Sequence, residues 1–186
     1  MNKLILLLLA FISIACVTDN QQSITNKDIS KFEQPKTIIL SEVINIDDEL
    51  YNLQIKIGRT ESSTYNLMVS MELKNDSYFV SPNSKRDFKG KFFIDLGSYS
   101  HLEFKGDIIE TPRSVEEFDP HPFVNGYVNW VRINTTYKQS LQIKSLDDFK
   151  VFGRIRFTIE PRCSLEEIPF AISYENGIMK LYSPKC

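Results

Sequence analysis

The sequence predicts an all-β fold for most of this 186-residue chain. Apolar and polar residues alternate with a period of two in several runs, and strict alternation indicates a half-buried strand. Turn signals rich in Gly, Asn, Asp, Pro and Ser separate the runs. Beyond residue 36, no stretch shows the sustained period of 3.6 residues that is typical of a helix. These observations predict an antiparallel β-sandwich, with a barrel as the alternative.

The first element of the chain is an export signal over residues 1–15. Lys3 supplies a short positive region, residues 4–12 are uniformly apolar, and Ser13-Ile14-Ala15 matches the small residues that signal peptidases accept. The apolar run is shorter than the roughly 20 residues that a spanning helix needs. We therefore do not expect a permanent transmembrane helix.

Cys16 follows this signal directly, and residues 12–16, Ile-Ser-Ile-Ala-Cys, resemble the lipobox of bacterial lipoproteins. The match lies at Ala15 and Cys16, while Ser13 stands where the usual residue is Leu. The resemblance implies that Cys16 carries a diacylglycerol and an amide-linked acyl chain such as palmitate. Because Val17 follows, it also implies the outer membrane if the cell has one. The alternative is a secreted protein with Cys16 as a free N-terminal thiol.

Residues 16–36 are rich in Asn, Gln, Ser, Lys and Asp and poor in apolar side chains. Such a segment cannot bury enough surface to offset its ordering entropy, so we expect a flexible spacer. The folded domain is then predicted over 37–186, which is long enough for one domain with its own core. The main alternating runs in that domain are 52–57, 65–73, 91–96, 102–108 and 154–159.

From Trp130 onward the chain resembles the later strands of an immunoglobulin-like module common in bacterial surface and periplasmic proteins. The residues that carry the resemblance are Trp130-Val131-Arg132-Ile133, Leu141-Gln142-Ile143 and Phe149-x-Val151-x-Gly153-x-Ile155-Arg156-Phe157. It covers about the last third of the chain and lacks the antibody-type pattern of Cys, Trp and Cys. It implies an immunoglobulin-like sandwich architecture and no particular activity, because that architecture serves many roles.

Residues 170–175 and 178–183 flank Asn176-Gly177. We predict that they form a β-hairpin with Asn176-Gly177 as its two-residue turn, since both residues tolerate positive φ. In that register Glu175 lies opposite Ile178. The chain has three cysteines, and if Cys16 carries lipid, Cys163 and Cys186 remain as an even pair. We predict a disulfide between them, with Cys163 facing the interior or its rim.

Motifs for chemistry are scarce in this sequence. The formal net charge is −2 and the basic residues are scattered, which argues against a nucleic-acid partner. His101 and His121 have no metal-ligand spacing, so we predict no metal and no other cofactor. Asp119 and His121 could begin a nucleophilic triad, but no nucleophile-elbow motif accompanies them.

One loop, residues 111–123, stands out because three prolines restrict a polar stretch that also holds two phenylalanines. We favour the interpretation that Phe118 and Phe123 plug an open end of the sandwich. In the alternative interpretation, Phe118, His121 and Phe123 form a binding loop, because binding residues often lie on loops held by a rigid scaffold.

The function expected from these observations is that of a lipid-anchored cell-envelope protein whose domain binds or scaffolds and is not an enzyme. Its expected partners are the membrane, through the lipid on Cys16, and another envelope protein or surface ligand. Two alternatives stay open. One is a secreted inhibitor or adhesion module with a protruding loop such as residues 112–123. The other is an envelope hydrolase with a site assembled from scattered residues.

Overall fold

Period-two alternation shapes nearly all of the chain that the structure describes. The structure, a computed structural model, describes residues 37–39, 42–60 and 64–184. These residues form antiparallel strands and contain no helix, so none of them belongs to a helix able to cross a membrane. The strands are β1 (Thr37–Ile39), β2 (Ile44–Asp47), β3 (Tyr51–Thr60), β4 (Tyr65–Leu73), β5 (Phe79–Val80), β6 (Phe93–Asp95), β7 (Leu102–Thr111), β8 (Glu116–Asp119), β9 (Gly126–Val131), β10 (Thr135–Ile143), β11 (Phe149–Ile159), β12 (Ser164–Glu175) and β13 (Ile178–Tyr182).

Two sheets form the sandwich. The large sheet has the order β1-β3-β4-β10-β7, and β2 also pairs with β3. The meander sheet has the order β13-β12-β11-β6, in which the last three strands of the chain follow one another. The predicted all-β antiparallel sandwich is therefore confirmed. Each sheet buries one face because alternate side chains point to opposite sides of a strand.

The core between the sheets is contiguous and rich in aromatic rings. Phe157 of β11 contacts Phe79, Phe92 and Tyr51, with ring centroids 5.4, 6.0 and 5.2 Å away. Phe92 also stacks on Tyr137 of β10 at 4.1 Å. These aromatic contacts join residues from both sheets, and such pairs stabilise beyond their buried area.

The C-terminal hairpin has the predicted register. Glu175 lies opposite Ile178, and Ala171 lies opposite Tyr182. Asn176 and Gly177 both have positive φ, at 51° and 79°. A two-residue turn with this geometry matches the twist of the flanking strands, which is why Asn-Gly is such a strong signal.

A third, smaller sheet has the order β5-β9-β8. β9 pairs with β5 at Phe79↔Val131 and with β8 at Glu116↔Asn129. Tyr78 forms a β-bridge with Glu160, which joins this sheet to the end of β11. The sequence did not predict β8, because its four residues, Glu-Glu-Phe-Asp, lack strong alternation.

Candidate functional site

The loop singled out in the sequence forms part of a β-hairpin, here called the aromatic hairpin, which comprises β8, the loop 120–125 and β9. Asp119 fixes its loop through both carboxylate oxygens. Oδ1 accepts the backbone N–H of His121 at 2.8 Å, and Oδ2 accepts the indole N–H of Trp130 at 3.0 Å. The guanidinium of Arg86 donates to the carbonyl of Val124 near the tip. These bonds fix the loop, while Val128 and Val131 of β9 are buried and anchor the strand that follows it.

Three aromatic side chains of this hairpin are exposed. The exposed fractions are 89% for Phe123, 61% for Tyr127 and 56% for Phe118. Phe118 and Tyr127 lie directly opposite each other and pack edge to face at 5.5 Å. The interpretation that Phe118 and Phe123 plug the sandwich is therefore wrong, because neither side chain enters the core.

His121 is exposed beside Phe123, and the two ring centroids are 5.4 Å apart. The Asp119 carboxylate bonds to the backbone of His121 and to Trp130. It therefore acts as a turn-stabilising acceptor and does not orient the imidazole as a triad aspartate would. The three residues of the predicted binding loop, Phe118, His121 and Phe123, thus lie on one hairpin and offer contact surface.

The other face of the hairpin carries a cation–π cluster. The Arg132 guanidinium lies 4.4 Å from the Tyr78 ring and 5.7 Å from the Trp130 ring, and it bonds to Glu117 at 3.3 Å. Trp130 also packs edge to face on Tyr78 at 5.0 Å. Beside this cluster lies a groove of about 230 Å³, which Val115 helps to line. Because Arg132 already covers the faces of the Tyr78 and Trp130 rings, we interpret the cluster as stabilising the hairpin and not as a ligand site.

The base of the hairpin is fixed by a buried carboxylate, Glu110 of β7. Its Oε2 accepts hydrogen bonds from Ser81 Oγ (2.9 Å), Asn83 Nδ2 (2.6 Å), and Ser114 N and Oγ (3.3 and 3.1 Å). Its Oε1 accepts the Tyr137 hydroxyl at 3.2 Å. Burial, and then the neighbouring carboxylate, raise the pKa of Tyr137 well above its ordinary value, so Tyr137 stays a neutral donor. Because Ser114 lies two residues before β8, this network sets where the hairpin starts.

A second cluster joins the two main sheets around Arg162. The guanidinium donates to Glu166 at 2.8 Å and to Asp48 at 3.3 Å. The backbone N–H of Leu50, followed by Arg162, lowers the pKa of Asp48. Burial alone would raise the pKa of Glu166, but hydrogen bonds from Ser164, Arg162 and Tyr51 outweigh it and lower that pKa. Asp48 and Glu166 are both paired with Arg162, so the cluster stabilises the contact between the two main sheets through ion pairs.

A polar groove of about 610 Å³ lies along the outer face of the large sheet. Its side chains bond mainly to one another, as in Gln54 to Asn45 at 3.1 Å and Asn52 to Glu72 at 3.2 Å. The lining includes no aromatic side chain. The groove is the solvated face that alternation produces on a half-buried sheet.

The cysteine predictions fall mostly on the undescribed ends of the chain, since Cys16 and Cys186 both lie outside the described residues. Cys163 is exposed in the turn between β11 and β12, where its φ is 54°. It does not continue the inward alternation of β11, because that strand ends at Ile159.

The register of β12 and β13 also bears on the predicted bridge. Ala171 lies opposite Tyr182, and Cys163 precedes Ala171 by eight residues, about 26 Å along a strand. Cys186 follows Tyr182 by four positions, which span at most about 14 Å. The pairing of Cys163 with Cys186 stays a prediction, and this geometry counts against it within one chain.

Within the described ranges, no three His, Cys, Asp or Glu side chains come together in a group that could hold a metal ion. No known protein-family model and no curated protein matches this chain. The exposed side chains of Phe118, Phe123 and Tyr127 make the aromatic hairpin the strongest candidate site in the described part of the chain. The sequence predicted Phe118, His121 and Phe123 as a binding loop but did not predict Tyr127. The available signal was that Tyr127 directly follows the turn residues Asn125-Gly126, which places it across from Phe118.

Proposed function

We propose that this protein is a lipid-anchored component of a bacterial cell envelope whose β-sandwich binds a partner through the aromatic hairpin and performs no catalysis. The anchor is the lipid on Cys16, with residues 16–36 as the spacer. If the cell has an outer membrane, the protein is attached there. The partner is another envelope protein or a surface ligand.

One observation carries the binding role, namely that Phe118 and Phe123 are exposed on a hairpin whose loop is fixed by hydrogen bonds to Asp119. Exposed apolar patches on soluble domains mark interaction sites. Aromatic side chains dominate binding energy in interfaces, and a pre-organised hairpin lowers the entropy lost when it binds. Neither side chain contributes to the core, so both are available to contact a partner.

The hairpin is tested with paired variants in an envelope-binding assay. We expect Phe118→Ser/Phe123→Ser to reduce binding to isolated envelopes at least tenfold, because both apolar contacts are lost. Leu146→Ser/Leu165→Ser is the matched control, since those side chains are 81% and 57% exposed. The thermal midpoints of both variants should stay near that of the parent. Equal binding by the two variants would refute the role of the hairpin.

The anchor is tested at the N-terminus of the protein purified from its own cells. Mass spectrometry is expected to show Cys16 as the first residue, carrying a diacylglycerol and an amide-linked acyl chain. Two or more chains give stable attachment, whereas a single chain is marginal. A Cys16→Ser protein should be released from the membrane fraction; an unmodified Cys16 contradicts the proposal.

The second candidate function is a secreted inhibitor or adhesion module. It is favoured by the same protruding hairpin, because an inhibitor presents a rigid exposed loop to its target. It differs from the first proposal in the fate of Cys16, so the mass of the N-terminal peptide separates the two.

A further inference from the structure

We propose that the partner of the aromatic hairpin is an anionic lipid surface, against which Phe123 and its neighbours lie. This rests on the proposed binding role of the hairpin and names the class of its partner. The arrangement would bring the domain to a membrane through two contacts, the N-terminal lipid and the hairpin.

The apolar part of this contact is the hairpin tip. Phe123 is the most exposed large apolar side chain in the described part of the chain, with Phe118 and Tyr127 on the strands behind it. A protruding ring can enter the boundary between headgroups and acyl chains, where tyrosine is also favoured. The loop backbone keeps its own hydrogen bonds, from Val124 and Asn125 to the carbonyl of His121. The amide groups of Val124 and Asn125 would therefore stay satisfied if the tip entered lipid.

The charged part is the segment 85–91, Lys-Arg-Asp-Phe-Lys-Gly-Lys, which holds four basic residues and one acidic residue. Arg86 ties this segment to the tip through the carbonyl of Val124, and Lys85 bonds to Glu116 of β8 at 3.1 Å. Lys85, Arg86 and Lys89 are all exposed.

The acidic side chains of the hairpin offset this positive charge only in part. Glu116 is paired with Lys85 and Glu117 with Arg132, whereas the donors to Asp119 are uncharged. The three remaining cations of the segment, Arg86, Lys89 and Lys91, outnumber the two remaining carboxylates, Asp87 and Asp119, by one. The chain as a whole carries a net charge of −2, so the basic segment is a local exception. Basic side chains beside an apolar tip are complementary to anionic headgroups, whose negative potential attracts lysine and arginine.

The insertion is tested with tryptophan probes in the full-length chain. Phe123→Trp and Leu146→Trp are mixed with vesicles of equal parts phosphatidylglycerol and phosphatidylcholine that carry brominated acyl chains. Bromine quenches only a ring that reaches the acyl region, and Trp130, the sole native tryptophan, gives the same background in both. We expect marked quenching at position 123 and none beyond background at position 146. Absent quenching at 123, or equal quenching at both positions, overturns the inference.

The electrostatic part is tested by charge removal. Lys85→Gln/Lys89→Gln should lower partitioning into the same vesicles at least tenfold, since each cation contributes on the order of fivefold near an anionic surface. Lys105→Gln/Lys180→Gln is the control with the same change in charge, and Lys180, like Lys85, has a carboxylate partner. Equal losses in the two variants contradict a localised contact.

These results are distinguishable from failure of the proposed function. If position 123 is not quenched but Phe118→Ser/Phe123→Ser still loses envelope binding, the hairpin binds a protein and only the lipid inference fails. If the variant also keeps its envelope binding, both fail.

Discussion

Replacing Glu110 with alanine is expected to lower the free energy of unfolding by about 3–5 kcal/mol, because the change leaves several buried hydrogen-bond donors without their acceptor. Glu110 is 6% exposed, and its carboxylate accepts bonds from Ser81, Asn83, Ser114 and Tyr137. Without it, the donors in the interior lose their acceptor. The segment that leads into β8 would also lose the bond that fixes it.

Glu110→Gln is the matched control for this prediction. Its amide oxygen can accept from the serine and asparagine donors, while its amide nitrogen can donate to the Tyr137 hydroxyl. We expect it to lose less than half as much stability as the alanine variant in urea unfolding. Equal losses for the two variants would show that acceptor chemistry at this position is unimportant.

The second large effect is expected at Gly153 of β11, where alanine should destabilise the domain by about 3 kcal/mol through overpacking. A Cβ there would lie 2.4 Å from Cζ of Phe170, which is fully buried, and 2.7 Å from the backbone oxygen of Asp95. A rotation of one side chain cannot relieve both contacts, since one of them is to backbone. Either the strand must shift or the ring must leave its place in the core.

Gly126→Ala is the control for the Gly153 prediction. Its Cβ would come within 2.8 Å of the guanidinium end of Arg86, which can swing away. Chemical denaturation should show a change below about 1 kcal/mol, typical of surface substitutions. Comparable losses at the two glycines would contradict the packing argument.

Alternation predicted the sheets because a strand with one buried face has apolar residues at every second position of its sequence. Leu53, Ile55 and Ile57 are all fully or nearly fully buried, as their spacing predicts. Asn176-Gly177 likewise predicted the register of β12 and β13, because few residue pairs adopt the positive φ angles that this two-residue turn requires. Local chemistry alone suffices for features of this kind.

The position of the aromatic hairpin could not be predicted in the same way. Apolar side chains normally indicate a buried face, and that rule placed Phe118 and Phe123 inside the sandwich. Whether a face has a sheet packed on it depends on distant segments, and no sheet in the described part of the chain covers Phe118 and Tyr127. Glu110 is the opposite case, a charged residue that is buried. It lies an even number of residues from Leu102 and Phe104, so alternation places it on their face of β7. The neighbouring sequence does not show that Tyr137 and Ser81 will donate hydrogen bonds to a carboxylate there.

Photo-crosslinking in living cells at the hairpin tip tests the binding role of the aromatic hairpin most directly. A benzoylphenylalanine at position 123 reaches whatever covers the hairpin in the envelope, and the same residue at position 146 samples another exposed site. We expect a discrete adduct at 123, with a protein or a lipid, and none above background at 146. An uncovered position 123, or matching adducts at both positions, would contradict the claim that the aromatic hairpin is the binding surface.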